Sequence, residues 1–243
     1  MSKAALKIDW CTHEAAKYAV ENWHYSKRMP MPPIVRVGAW EGGKYIGCVL
    51  FARGANMNIG APYGLQPTEV AELVRVALTK HEVQVSRVMA VACRFLAKHS
   101  PGLRLLVSYA DPSEGHHGGI YQACGWVYVG QSEEATQFLH NGRWKHQREV
   151  TAGAFGNPNA KRGWASLPRR KMPGKHKYLL PTDDAMRAQI APLAKPYPKR
   201  NVDTSARTEV HGSGVGKGSP VGTTNGEGGS IPTPTLQESK GGT

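Results

Sequence analysis

Residues Leu105–Gly130, LLVSYADPSEGHHGGIYQACGWVYVG, decide how the rest of the chain reads. The run Leu103–Val107 has the apolar character of a buried strand, and Asp111-Pro112 with Gly115, Gly118 and Gly119 ends it in a polar turn. A short helix, Gly119–Cys124, then stops at Gly125, and Val127–Val129 forms a second strand. The turn thus lies at the carboxyl end of a strand, where open α/β sheets gather their ligands. That position alone makes Asp111 a site candidate, with His116, His117 and Tyr121 close behind it.

Working outward, the segment SRVMAVACRFLAKH places Val88, Val91, Ala92, Phe95 and Leu96 at helical spacing from Ser86 onward, and Pro101-Gly102 stops it. Before it, Val70–Leu78 reads as a buried strand with Arg75 set into it. Ile34–Trp40 and Lys44–Phe51, joined by Glu41-Gly42-Gly43, read as a hairpin. Thr12 caps a first helix that runs to Trp23 and ends at His24-Tyr25. Residues 54–67 are rich in loop formers. Downstream, Gln137–His140 and Arg143–Val150 form a hairpin about Asn141-Gly142, Lys177–Leu180 is a last strand, and Asp183–Ile190 is a short helix. From Asn201 the chain loses nearly all large apolar residues, which predicts a disordered tail over 201–243. The expected organisation is an α/β domain over 1–180, a short helix and linker over 181–200, and the tail.

The formal net charge is +13, and its placement is uneven. Residues 161–177, KRGWASLPRRKMPGKHK, carry seven Lys and Arg and no acid, while residues 1–160 hold an excess of only five. Cations packed without counter-charges repel one another unless a polyanion neutralises them, so this segment predicts phosphate contact. Elsewhere the mild positive balance reads as a solvated surface. The four cysteines form no CxxC pair and give neither a zinc-knuckle nor a disulfide pattern. No apolar run approaches the ~18 residues needed to cross a bilayer, and MSKAALKIDW has no signal-peptide core. A soluble, cytoplasmic, reduced protein with no membrane partner is expected.

Four pieces, Trp23-His24-Tyr25-Ser26, Glu72-Leu73-Val74-Arg75, Ser108-Tyr109-Ala110-Asp111 and Gly119-Ile120-Tyr121-Gln122-Ala123-Cys124-Gly125-Trp126, together resemble the Mom family of Mu-like phages. The likeness runs from about residue 10 to residue 180. It implies a GNAT-like acyltransferase fold, a mixed central sheet flanked by helices. The implied activity is conversion of adenine in double-stranded phage DNA to N6-carbamoylmethyladenine, which shields the DNA from host restriction enzymes, and the family is associated with iron. By motif, the resemblance assigns His24, Tyr25, Asp111 and Tyr121 to the chemical centre, and Arg75 and Ser86 to the donor side.

Each of these residues also has an ordinary structural role. His24 suits a helix C-terminus, Tyr25 can pack on the hairpin, and Asp before Pro is a common turn former. As a functional set, His24, Tyr25, Asp111 and Tyr121 offer nitrogen and oxygen donors without thiolates, which suits iron, and Asp111 is also a candidate acceptor for the adenine amino proton. His116 and His117 are adjacent and read as loop residues. Arg75 in an apolar strand needs a partner: Glu72, Asp111 or an anionic donor group.

The turn Lys80–Arg87 lacks the glycines that let backbone amides approach a coenzyme A pyrophosphate, so the usual acetyl-CoA mode is not expected. Free amides at the helix start, with Ser86 capping, would take the carboxylate or phosphate of a donor, either acetyl-CoA-like or glycine-derived. Reaching the amino group in a duplex requires flipping the base. Lys161, Arg162, Arg169, Arg170, Lys171, Lys175 and Lys177 are the expected phosphate contacts, with Trp144 and Trp164 for stacking. The alternatives are an acetyl-CoA-dependent N-acetyltransferase and a basic DNA-binding protein without catalysis.

Overall fold

Strand β5, Leu105–Ala110, sends alternate side chains to opposite faces of a sheet. Leu106 and Ala110 enter one core cluster, whereas Leu105 and Val107 enter another. The computed structural model describes residues 5–53, 58–146 and 166–199. In chain order the remaining elements are β1 (Leu6–Trp10), α1 (His13–Trp23), β2 (Ile34–Glu41), β3 (Lys44–Ala52), β4 (Val70–Leu78), α2 (Val85–His99), α3 (Gly119–Ala123), β6 (Val127–Gln131), β7 (Ala135–His140), β8 (Arg143–His146), β9 (Arg169–Met172), β10 (His176–Pro181) and α4 (Asp184–Ile190). Seven strands form one mixed sheet in the order β1-β2-β3-β4-β5-β10-β6, and β8-β7-β9 form a second. The mixed α/β architecture expected from the sequence is present, a mixed central sheet flanked by helices.

Helix α2 lies over one face of the large sheet. Val88, Met89, Ala92, Cys93 and Leu96 pack against Val49, Phe51, Leu106 and the fully buried Trp126 and Tyr178. The other face is covered by α1 through Ala16, Ala19 and Val20, and by α4 through Met186 and Ile190. Both of these helices are side-chain capped at their starts: Thr12 accepts from the Ala15 amide at 3.2 Å, and Asp183 from the Met186 amide at 2.6 Å. Asp183 also receives Arg104 at 2.9 Å, which ties α4 to the start of β5.

Several elements differ from their sequence expectation. β5 starts at Leu105 rather than Leu103, because the Leu103 amide closes a turn onto Ser100 O at 2.8 Å, and the strand runs on to Ala110. α2 starts at Val85, one residue early. Its N-cap is Gln84, with no side-chain cap bond, so Ser86 is not a cap. The stretch 59–65 is more than loop: Ile59, Tyr63 and Leu65 are buried around the 3-10 turn Ala61–Tyr63. β1 and β9 have no counterpart in the sequence reading. β10 inserts between β5 and β6 and pairs antiparallel with both. Lys161, Arg162, Trp164, residues 147–150 of the second hairpin strand and the tail over 201–243 lie outside the described residues.

Candidate functional site

Among the described residues, the large sheet has one parallel pairing, and it is short. β4 and β5 pair at Val70 with Leu105, Ala71 with Leu106 and Glu72 with Val107. Beyond that point β4 continues to Leu78 against β3, and β5 continues to Ala110 against β10. The two strands part at their carboxyl ends, which opens a crevice in the middle of the sheet. Ser108 marks the fork: its buried hydroxyl reaches Leu73 O at 2.8 Å, satisfying a carbonyl left without its strand partner. One residue further, the β3–β4 register slips so that Val74 is extra. Such a bulge re-aims the side chains beside it. Arg75 follows directly, with one guanidinium nitrogen donating to Val74 O at 2.7 Å and its Nε buried without a hydrogen-bond partner.

Tyr121 on α3 enters the fork from the other side, with its hydroxyl 2.8 Å from Ser108 Oγ. A serine has one hydroxyl proton, and a carbonyl can only accept. Ser108 therefore donates to Leu73 O, and Tyr121 donates to Ser108. Burial pushes the Tyr121 phenol up to about 12 against the lowering effect of that hydrogen bond, so it is neutral at pH 7. Gly118, with φ at 85°, lets α3 approach this closely, since a Cβ there would run into the Tyr178 ring.

The end of α1 supplies the third wall. His24 is buried, and its Nδ1 accepts the Ser26 amide at 3.1 Å and lies 2.8 Å from Ser26 Oγ. An amide only donates, so Nδ1 carries the lone pair and Nε2 the proton. Burial first, then the nearby charges of Arg75, His116 and Lys27, holds the imidazole down to about 4. His24 is thus a neutral ring at pH 7. Tyr25, 59% exposed, lies against it at 4.3 Å between ring centroids and against His116 at 5.5 Å. His24, Tyr25, Arg75 and Tyr121 are brought into one neighbourhood, and His116, read from sequence as a bystander, joins them.

Asp111 makes its contacts elsewhere. It accepts from the Ser113 amide at 3.0 Å as the cap of a one-turn 3-10 helix, and pairs with Lys175 at 2.8 Å. Burial alone would raise its carboxyl, but Lys175 and Ser113 outweigh that and bring it below the usual carboxylate range. Lys175 thereby links the basic segment to the mouth of the crevice. Among the other expected phosphate contacts, Arg169, Arg170 and Lys171 stand exposed on β9, and Lys177 on β10 lies over the Tyr63 ring at 5.0 Å.

Part of the set that the resemblance assigns to iron is engaged within the chain: Nδ1 of His24 by Ser26, the Tyr121 hydroxyl proton by Ser108 and one Asp111 oxygen by Lys175. Among the described residues no group of three or more His, Cys, Asp or Glu is placed to hold an ion. On the donor side, Ser86 sits in the first turn of α2, and its carbonyl receives the Cys124 thiol at 3.1 Å. The amides of Glu82 and Val83, in the turn before α2, are held by the Glu41 carboxylate at 3.0 and 2.8 Å. An internal anion already lies where an external pyrophosphate would meet backbone amides. The Ser108 bridge, the His116 contact and the Glu41 anchor had no counterpart in the sequence reading. Of these, Ser108, a small polar residue in the apolar run before Asp111, carried a visible signal.

No described helix is long and apolar enough to cross a membrane. Over 154 residues the chain is 24% identical to methylcarbamoylase mom of Escherichia phage Mu, a match covering 62% of this chain and 63% of that protein. The matched stretch thus spans less than two thirds of that relative. Among solved structures, the N-acyl amino acid synthase FeeM from uncultured soil microbes is 14% identical, with a TM-score of 0.44 over 76% of this chain and 94% of its own. The aminoglycoside acetyltransferase AAC(6')-Ib, solved with coenzyme A and kanamycin, is 10% identical, with a TM-score of 0.44 over 76% of this chain and 97% of its own. Neither structural likeness bears on function at that level. The family model described as the Mom protein family matches residues 5–199, and the chain belongs to that family.

Proposed function

We propose that this chain is a DNA-modifying transferase that converts adenine to N6-carbamoylmethyladenine and so protects phage DNA from restriction enzymes. The observation that carries the reading is the meeting of His24, Tyr25, Arg75 and Tyr121 where β4 and β5 part, in a member of the Mom protein family. In the transfer one bond forms between N6 and the donor carbon, N6 loses a proton, and the donor's leaving group departs with the bonding electrons. A flipped adenine enters the crevice over Tyr25. His24 offers its Nε2 proton to the base or the donor, and Arg75 supplies fixed positive charge for an anionic donor group.

Tyr121, neutral and with its proton on Ser108, turns an oxygen lone pair toward the crevice and accepts an N–H of the base or the donor, which orients it for transfer. Asp111, ionised at the crevice mouth, accepts the N6 proton. Ser86, next to the amides held by Glu41, borders the donor, which binds without using those amides. Arg169, Arg170, Lys171, Lys175 and Lys177, with Lys161 and Arg162, contact the DNA phosphates, and the reaction takes place in the cytoplasm of the infected cell. The test is nucleoside mass spectrometry on DNA digested from cells expressing the full chain. A nucleoside carrying a carbamoylmethyl group in place of one hydrogen of adenine is expected; unmodified adenine at good expression sinks the reading.

A further inference from the structure

The small sheet carries a second polar depression that the reaction centre does not use. It is an open cleft of about 470 Å3, lined among the described residues by Arg28, Asn141, Arg143, Trp144 and Lys145. That volume suits a small ligand. Three of the five lining side chains are cationic, one is an indole, and none is acidic.

Trp144 is 38% exposed on a short strand, so core packing does not account for it. Its ring is held ready: the Arg170 guanidinium lies 4.5 Å from the ring centroid. That guanidinium is fixed in turn by Gln137, whose Oε1 accepts from Arg170 at 3.0 and 2.8 Å. The turn that presents Arg143 and Trp144 is a tight two-residue hairpin, with Asn141 and Gly142 at φ 52° and 72°. An indole set among cations on a rigid hairpin matches the chemistry of an unstacked base with its phosphodiester.

We propose that this cleft binds one unpaired deoxynucleotide of the substrate strand, its base stacked on Trp144 and its phosphates held by Arg28, Arg143 and Lys145. Arg28 is three residues from Tyr25, a chain length of at most about 10 Å. On the DNA-modifying reading, on which this part rests, the bound nucleotide is therefore the neighbour of the adenine presented to the crevice. The cleft then has two consequences: it holds the strand open beside the target, and it makes the identity of the neighbouring base matter.

The experiment is fluorescence anisotropy of the full chain with a labelled single-stranded deoxyoligonucleotide of about 12 nucleotides. Trp144→Ala is expected to weaken binding roughly 5- to 150-fold, while Trp144→Phe keeps most of it. The double variant Arg143→Gln, Lys145→Gln is expected to flatten the dependence of log affinity on log salt by about 0.7 for each phosphate that is no longer neutralised. Unchanged binding by Trp144→Ala with an unchanged salt slope in the double variant overturns the proposal. Tighter Trp144-dependent binding of the same sequence as RNA also overturns it, assigning the cleft to RNA.

Nucleoside analysis separates the two readings. Unmodified DNA from the wild type, with oligonucleotide binding still weakened in Trp144→Ala, removes the proposed reaction and leaves the cleft standing. Modification by Trp144→Ala at the wild-type rate and in the same sequence context overturns the cleft and leaves the reaction standing.

Discussion

In the crevice between β4 and β5, polar groups are sunk among apolar ones, and most are met by a neighbour: Tyr121 by Ser108, Ser108 by Leu73 O, His24 by Ser26. On β8-β7-β9, Arg143, Arg169, Arg170 and Lys171 stand in solvent, and the Lys171–Glu134 pair leaves both side chains more than half exposed. Burial makes the first region sensitive to single atoms, because a desolvated group that loses its partner keeps the full cost. Exposure makes the second sensitive to summed charge and to salt, because water and counterions screen each group separately. Chemistry suits the first environment, and holding a long polyanion suits the second.

The sharpest test of this contrast is Tyr121→Phe, which removes an orienting hydroxyl and is expected to lower the modification rate by about 100-fold while DNA affinity stays within about twofold. A loss of affinity as large as the loss of rate would merge the two regions. Next, the triple variant Arg169→Gln, Arg170→Gln, Lys171→Gln is expected to reduce duplex DNA affinity at least tenfold at low salt. Its salt slope should shrink by about 0.9 for each phosphate left without its cation, with the melting temperature little changed. Ser108→Ala leaves the Leu73 carbonyl and the Tyr121 hydroxyl without their partner and is expected to cost about 1–3 kcal/mol in denaturant unfolding.

A comparable effect, confined to a pH window, follows from His24. Its imidazole titrates near 6.5 when unfolded and near 4 when folded, so its support for the fold is complete above pH 6.5 and is lost as pH falls toward 4. Melting temperatures across that window should fall more steeply for the wild type than for His24→Asn. The smallest expected effect is that of Lys171→Gln alone, within about 0.5 kcal/mol in the same unfolding measurement. A larger loss would show that β9 depends on its ion pair.

Patterned segments were readable in advance. The helix from Thr12, the Gly42-Gly43 and Asn141-Gly142 hairpins and the long helix near Ser86 each rest on signals within a few neighbours. β1 escaped because LKIDW is five residues at the chain start with no bounding turn signal. β9, RRKM, escaped because four residues with three charges carry the pattern of a solvated segment; its backbone pairing with β7 overrides that composition. At the site, Asp111 was located by its strand end, but its partner Lys175 is 64 positions away in a segment read only for charge. His116 was discounted because adjacent histidines cannot both aim at one point from a regular strand. In the turn that follows β5, its ring meets Tyr25.

By itself, then, the sequence determined the alternation of helix and strand, the polar turn after Ala110, the concentration of cations over 161–177 and the motif pieces by which the family is recognised. These are local properties, fixed by side-chain periodicity, turn chemistry and composition. The tertiary structure alone decided that β10 enters between β5 and β6, that β4 and β5 part after three pairs, and that Ser108 bridges the parting to Tyr121. Those outcomes depend on which distant backbone and polar groups satisfy one another once water is gone, and no short-range pattern in the chain encodes them.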